Sequence, residues 1–208
     1  MPKLHTSRPF TIRPVILNAA DDKRATFYTA TCNYLYLTRA PAGDDIRGAT
    51  PDFSVRGDLA ALGRGAPLRA DSESYHGQRL WQTADRHAQD QRPSEPVAWH
   101  AVGSLPVGFQ MSNWRATIDA FIEDRLVTQG MIVDWAIHAR DETAEQPGVL
   151  PHCHMLITAR AWDLKRRAGM VMPTWLRSHA SRREHALAWY ELTKMYPAAG
   201  YELRPEAD

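Results

Sequence analysis

Two periodicities alternate along this 208-residue chain, and the alternation predicts a domain that mixes helices and strands. Three observations carry that prediction. In Ser112–Gln129, Trp114, Ile118, Phe121, Ile122 and Leu126 form one apolar stripe, and Gly130 stands where a helix stops. MIVDWAIH (131–138) and HCHMLITA (152–159) are buried-strand patterns joined by a polar loop with a Pro147-Gly148 turn signal, which makes an antiparallel hairpin. Arg79–Gln91 places Leu80, Trp81, Ala84 and Ala88 at helical spacing.

The remaining segments follow in order. Residues 4–17 read as extended, and their prolines suit an edge strand. Asp21 or Asp22 can cap a helix running to about Thr38, with Phe27, Thr31, Tyr34, Leu35 and Thr38 on one side. Residues 40–78 are rich in Gly, Pro, Asp and Ser and read as a long loop or lid. Residues 97–105 form a strand stopped by Pro106. A last helix starts at Ser181, with Glu184 completing a capping box, and ends before Pro197.

Composition narrows the class. Hydrophobic residues make up 44% and charged residues 24%, which excludes a largely disordered chain. No apolar run approaches the ~20 residues of a membrane span, and MPKLHTSRPF lacks the apolar stretch of a secretory signal. Two cysteines, Cys32 and Cys153, cannot form a disulfide framework, so a reducing cytoplasm is the simplest compartment. The expectation is one domain over 1–208. The net charge of +1 conceals a basic segment at 160–196, with eight basic residues against three acids between Arg160 and Lys194. It is either a footprint for phosphate or a solvated helical face.

The informative pattern is His138 followed by PHCHM at 151–155. Strand side chains alternate, so His152 and His154 share a face while Cys153 points away into the core. A hairpin closing across the loop brings His138 to the same face. Three neutral imidazoles around open positions can hold a divalent metal. Spacing alone leaves this level with a set of strand-end histidines that bind nothing. Asp134 has the parity of His138, and either orients a ligand imidazole or satisfies a nearby backbone or Arg group. His179 and His185 flank the last helix start as surface residues.

GMIVDWAIHAR (130–140) followed by LPHCHMLITAR (150–160) resembles the metal-binding motif of MobA/MobL plasmid mobilization relaxases, a group of the HUH endonuclease superfamily. The family text is roughly G-M-x-x-D-x-A-I-H, a short loop, then N-P-H-x-H-x-x-x-T-x-R. RLWQTAD (79–85) is similar to its L-W-x-x-A/V-E/D helix start, and SLPVGF (104–109) to its A-L-P-x-E-L turn. RATFYTATCNYLYLTR (24–39) resembles the helix that bears the nucleophilic tyrosine. Text like A-x-x-Y-[IL]-x-R assigns that role to Tyr34, with Tyr28 and Tyr36 as competitors. Leu150 replaces the family's Asn, and His100 stands near an expected acid.

The resemblance implies an α+β fold with a central antiparallel sheet of about five strands flanked by helices, HUH relaxase-like. It implies metal-dependent nicking of single-stranded DNA at a plasmid transfer origin in the bacterial cytoplasm, through a 5′-phosphotyrosyl intermediate. His138, His152 and His154 would hold a divalent metal, Mn²⁺ or Mg²⁺. Tyr34 would be the nucleophile, and Asp134 or His100 the base for a phenol of ordinary pKa ~10. Arg160, Arg166 and Arg167 would contact phosphate and Trp162 would stack on a base, with Trp175 either stacking or core. Relaxosome accessory and coupling proteins would be partners. An inactive DNA-binding protein of relaxase fold, and an unrelated His₃ metal hydrolase, are the alternatives.

Overall fold

The computed structural model describes residues 9–17, 27–68, 70, 77–91, 94–163, 166–172 and 175–197, apart from the side chains of 91, 162–163 and 166–171. A five-stranded antiparallel sheet forms its centre, as expected. The strands are β1 (Phe10–Ile16), β4 (Leu59–Gly65), β5 (Pro96–Ser104), β6 (Val133–Arg140) and β7 (Val149–Thr158), in the order β1-β5-β7-β6-β4. Proline-bearing β1 is an edge strand, where Pro14 costs no central ladder bond. Two further hairpins lie outside the sheet, β2 (Gly43–Asp45) with β3 (Gly48–Thr50), and β8 (Arg160–Asp163) with β9 (Arg166–Val171).

Helices cover both faces. On one, α3 (Met111–Arg125) and α4 (His179–Thr193) pack over Trp99, Ala101, Val133, Trp135, Ile137, Cys153, Met155 and Ile157. On the other, α1 (Ala30–Thr38) and α2 (Gln78–Gln91) pack over Ala98, Ala136 and Leu156. Strand alternation therefore separates two cores and places Cys153 opposite the histidines, as its parity predicts. Leu80, Trp81, Ala84 and Ala88 are buried under α2, and Ile118, Phe121 and Ile122 under α3.

The segment 40–78 is more than a loop. It contains β2, β3 and the edge strand β4, whose sequence LAALGRG hides a strand behind two glycines. Both glycines are close-approach positions. A Cβ on Gly63 would lie 2.2 Å from the Trp135 ring, and one on Gly65 would lie 2.4 Å from Ile122. The bulk missing from β4 is supplied by its neighbours.

Two helix starts also differ from expectation. α1 begins at Ala30 with Thr29 as N-cap, accepting from the Cys32 N–H, and Asp21 and Asp22 lie outside the described residues. The helix is nine residues long and buried almost all round, so no one-sided stripe describes it. α4 is capped by Ser178, whose hydroxyl accepts from the Ser181 N–H, not by Ser181 and Glu184. His185 is consequently inside α4, buried against Phe121, while His179 is half-buried.

Candidate metal and nucleic-acid site

Cross-strand register brings the three histidines together. His138 on β6 is directly opposite His152 on β7, and Ala136 is opposite His154, with all these side chains on the α1 face. Their ring centroids lie 4.7–5.5 Å apart. One nitrogen from each falls within 4.8 Å of the others. His138 and His154 are buried and His152 is half-buried. Burial drives the His138 pKa down to about 4, with the charges of Arg39 and His152 adding to it. Burial likewise lowers His152, and lowers His154 well below the usual value. The cluster is neutral at pH 7, the form that binds metal.

Hydrogen bonds fix which nitrogens are open. His152 Nδ1–H donates to the Leu150 carbonyl at 2.7 Å, leaving Nε2 as a lone pair. That bond uses backbone, so Leu150 in place of the family's Asn does not disturb it. His154 Nε2 is buried without a hydrogen-bond partner. An unpartnered buried imidazole nitrogen facing two other imidazoles is what a divalent ion would satisfy, so the donor set fits a metal. His138 is engaged at both nitrogens. Nε2–H donates to the Leu37 carbonyl at 2.8 Å, and Nδ1 accepts from Arg39 Nη2 at 2.8 Å. It becomes a ligand only when one of these bonds is released.

Arg39 and Asp58 are the members of this site that the motif reading missed. Arg39 sits at the C-cap of α1 with φ 53°, and its Nε and Nη2 bond both Asp58 oxygens at 2.6 and 3.0 Å. Burial pushes the Asp58 carboxyl up, but the Arg39 bonds and the charges of Arg39 and His138 outweigh it and hold it below the usual range. Asp58 is carried by the residues just before β4, so a reading that took 40–78 as a loop could not place it.

The tyrosine over the histidines is Tyr36. Its ring centroid is 5.3 Å from His154, 6.2 Å from His138 and 6.4 Å from His100. Phe27 and Phe53 hold the ring at 5.2 and 5.5 Å, and the Arg39 and Arg56 guanidiniums lie 4.5 and 5.2 Å from its centroid. Tyr34, assigned as nucleophile from the sequence, is ~200° away around the helix. Its hydroxyl faces Gly77, where a Cβ would approach it to 3.1 Å. Burial raises its pKa, the Asp134 charge adds to that, and Arg64 opposes it. Tyr28 precedes α1 with Arg47 over its ring. In the text Y-[IL]-x-R the arginine follows by three, a spacing that Arg39 keeps with Tyr36.

Of the two sequence readings of Asp134, the structure matches the one in which it satisfies a nearby Arg group. Four residues along a strand span ~13 Å, so shared parity with His138 does not bring contact. Its oxygens take the Trp81 Nε1–H at 2.7 Å and pair with Arg64 at 3.4 Å. It fastens α2 to the sheet. Asp85 does similar work inside the helical layer, where its carboxylate accepts from the Ala30 and Thr31 N–H groups at 2.8 Å and the Thr31 hydroxyl at 2.6 Å. Burial, chiefly, raises its pKa to about 6.

Of the expected DNA contacts, Arg160 is only 9% exposed, which leaves its guanidinium little surface to offer a phosphate. Trp162, Arg166 and Arg167 belong to β8 and β9, and their side chains lie outside the described residues. Trp175 is buried against Gly130 and belongs to the core. Besides Arg39, two cations stand at the site, Arg13, directly across from His100 on β1, and Arg56. Both are exposed and line a cavity of about 510 Å³ that reaches Tyr36, His100 and His154.

The family model of the MobA/MobL family matches residues 29–186, and the chain belongs to that family. A solved structure described as the molecular basis of vancomycin resistance transfer in Staphylococcus aureus has a similar fold, with a TM-score of 0.64. The two are 21% identical over 88% of this chain and 89% of the other. No curated protein matches. The family is one of plasmid mobilization relaxases, and the solved structure adds that the fold is shared. Among the described residues, no helix is long and apolar enough to cross a membrane.

Proposed function

We propose that this protein nicks single-stranded DNA at a plasmid transfer origin, with Tyr36 as nucleophile and His138, His152 and His154 as the metal-binding set. The observation that carries the reading is Tyr36 packed on His154 with the Arg-lined cavity opening beside both. The cavity would admit a nucleotide, and Arg13 and Arg56 would meet its phosphates. Trp162, Arg166 and Arg167 remain proposed outer contacts. When bound, Mn²⁺ or Mg²⁺ supplies Lewis-acid polarisation of a phosphate oxygen.

In the reaction, Tyr36 Oη attacks the scissile phosphorus in line. A P–O(Tyr) bond forms, the P–O3′ bond breaks, and the phenol proton is lost as the leaving 3′ oxygen takes one up. The ester bond is exchanged, not hydrolysed, so the step reverses when a 3′-hydroxyl returns. Arg39 and Arg56 hold positive charge over the face of the ring whose phenol gives up its proton. Accessory and coupling proteins of a relaxosome would present the strand, within a bacterial cytoplasm.

The test uses labelled oligonucleotides from flanking plasmid sequence with Mn²⁺, read on a denaturing gel. Wild type and Tyr34→Phe are expected to form a covalent adduct, and Tyr36→Phe none. An adduct that survives Tyr36→Phe removes the nucleophile assignment. No adduct with wild type on any transfer-origin strand would favour a DNA-binding protein without nicking activity.

A further inference from the structure

We infer that His100 and Asn33 form a neutral relay that fixes the tautomer of His154 and so aims the Nε2 lone pair into the histidine cluster. The inference rests on the metal-centre reading above and concerns residues outside the three ligands.

The proton inventory can be worked from one end to the other. Asn33 Nδ2 is 2.8 Å from the Thr29 carbonyl and 3.1 Å from the Phe27 carbonyl. Only the NH₂ group can satisfy two carbonyl acceptors, so Asn33 Oδ1 is the atom that faces His100. It lies 2.7 Å from His100 Nδ1, which must therefore carry the proton. A neutral His100 then has its lone pair at Nε2, 2.9 Å from His154 Nδ1. His154 Nδ1 must donate, and its own lone pair is left at Nε2, the buried atom without a partner. Every assignment follows from the preceding one.

Position explains why the relay exists. His100 on β5 is opposite Leu156, one step diagonal from His154, whose direct neighbour on β5 is Val102. Asn33 lies in the first turn of α1. A carboxylate at 100 would accept from His154 Nδ1–H with no help. An imidazole accepts only in one tautomer, and Asn33 supplies the acceptor that selects it. His100 is thus a positioning residue, and its effect on metal passes through His154.

The test compares wild type, His100→Phe, His100→Glu, Asn33→Ala and the His100→Glu/Asn33→Ala pair. Two measurements are made on each: imidazole ¹⁵N shifts of metal-free protein, and Mn²⁺ and Co²⁺ affinity by titration calorimetry. In wild type, His154 is expected as the Nδ1–H tautomer. His100→Phe should give mixed tautomers and weaken metal affinity about 10–100-fold. His100→Glu should restore both. Asn33→Ala should weaken binding in the wild-type background but not in the double variant, where the introduced carboxylate accepts unaided. Simple loss of packing would not produce that dependence. If His100→Phe fails to fold, Asn33→Ala and the double variant carry the comparison. Unchanged His154 shifts and affinity in His100→Phe or Asn33→Ala would overturn the relay. A wild type that binds neither metal, yet shows the expected tautomers, would instead overturn the metal-centre reading and with it the purpose assigned to the relay.

Discussion

The chemistry of single side chains here is set by small differences of position. Tyr34 and Tyr36 are two residues apart, yet one faces Gly77 and the other the imidazoles. The histidines are legible in the sequence because strand parity is strict, and register then has only to align β6 with β7. Asp58 and Arg13 are illegible there because their partners are distant in sequence and carry no spacing rule. His152→Ala is expected to lower bound Mn²⁺ and nicking together; unchanged metal stoichiometry would contradict its role as ligand. Replacing Arg13 and Arg56 together by Gln should weaken single-strand binding and flatten its salt dependence, the slope falling by about 0.7 for each phosphate no longer neutralised. A slope identical to wild type would show that the strand does not pass these cations.

At the scale of elements, most helices and strands follow their sequence patterns, and the exceptions have definite causes. β4 is hidden in the sequence because its inward bulk belongs to Trp135 and Ile122 across the interface. The start of α1 is hidden because the carboxylate over its first turn comes from α2. Leu80-Trp81-x-x-Ala84-Asp85 thus has a mechanical meaning: two core side chains seat α2, and Asp85 ties down α1. Asp85→Ala leaves two backbone N–H groups and a hydroxyl unsatisfied and is expected to cost about 1–3 kcal/mol, measured by urea denaturation. A close approach of another kind is Gly103 beneath Trp189, where a Cβ would stand 2.5 Å from the indole. Gly103→Val should displace that ring and destabilise by about 1–3 kcal/mol, with the tryptophan fluorescence changed. A neutral result in either variant would show that the neighbouring helix shifts freely.

For the molecule as a whole, His100 and the histidine cluster dominate the response to acid. His100 and His138 are both held near pKa 4 by burial first, with the charge of Arg13 adding at His100. Ordinary histidine titrates near 6.5 in the unfolded chain. Between these values the unfolded state binds more protons, so metal-free protein is at full stability above pH 6.5 and loses it progressively as pH falls toward 4. Asp85, raised from 3.8 to about 6, acts in the opposite sense across part of that window, one group against the four lowered imidazoles of the site. Thermal melts of chelator-treated protein from about pH 7.5 to about pH 4.5 should show a falling Tm; a flat or rising profile would refute the neutral cluster. Added Mn²⁺ should raise the Tm near neutral pH and lose its effect at low pH, where protons compete for the ligands.

The helix that bears Tyr36 is nine residues long and clamped at both ends, by Asp85 and Thr29 at its start and by Arg39 bound to both Asp58 oxygens at its finish. A post so short and so moored has no slack with which to swing. Under the nicking proposal, any exchange of strand ends must be carried out by the DNA travelling past a stationary oxygen. Resealing would then be governed by how long the severed 3′ terminus stays berthed in the hollow between Arg13 and Arg56.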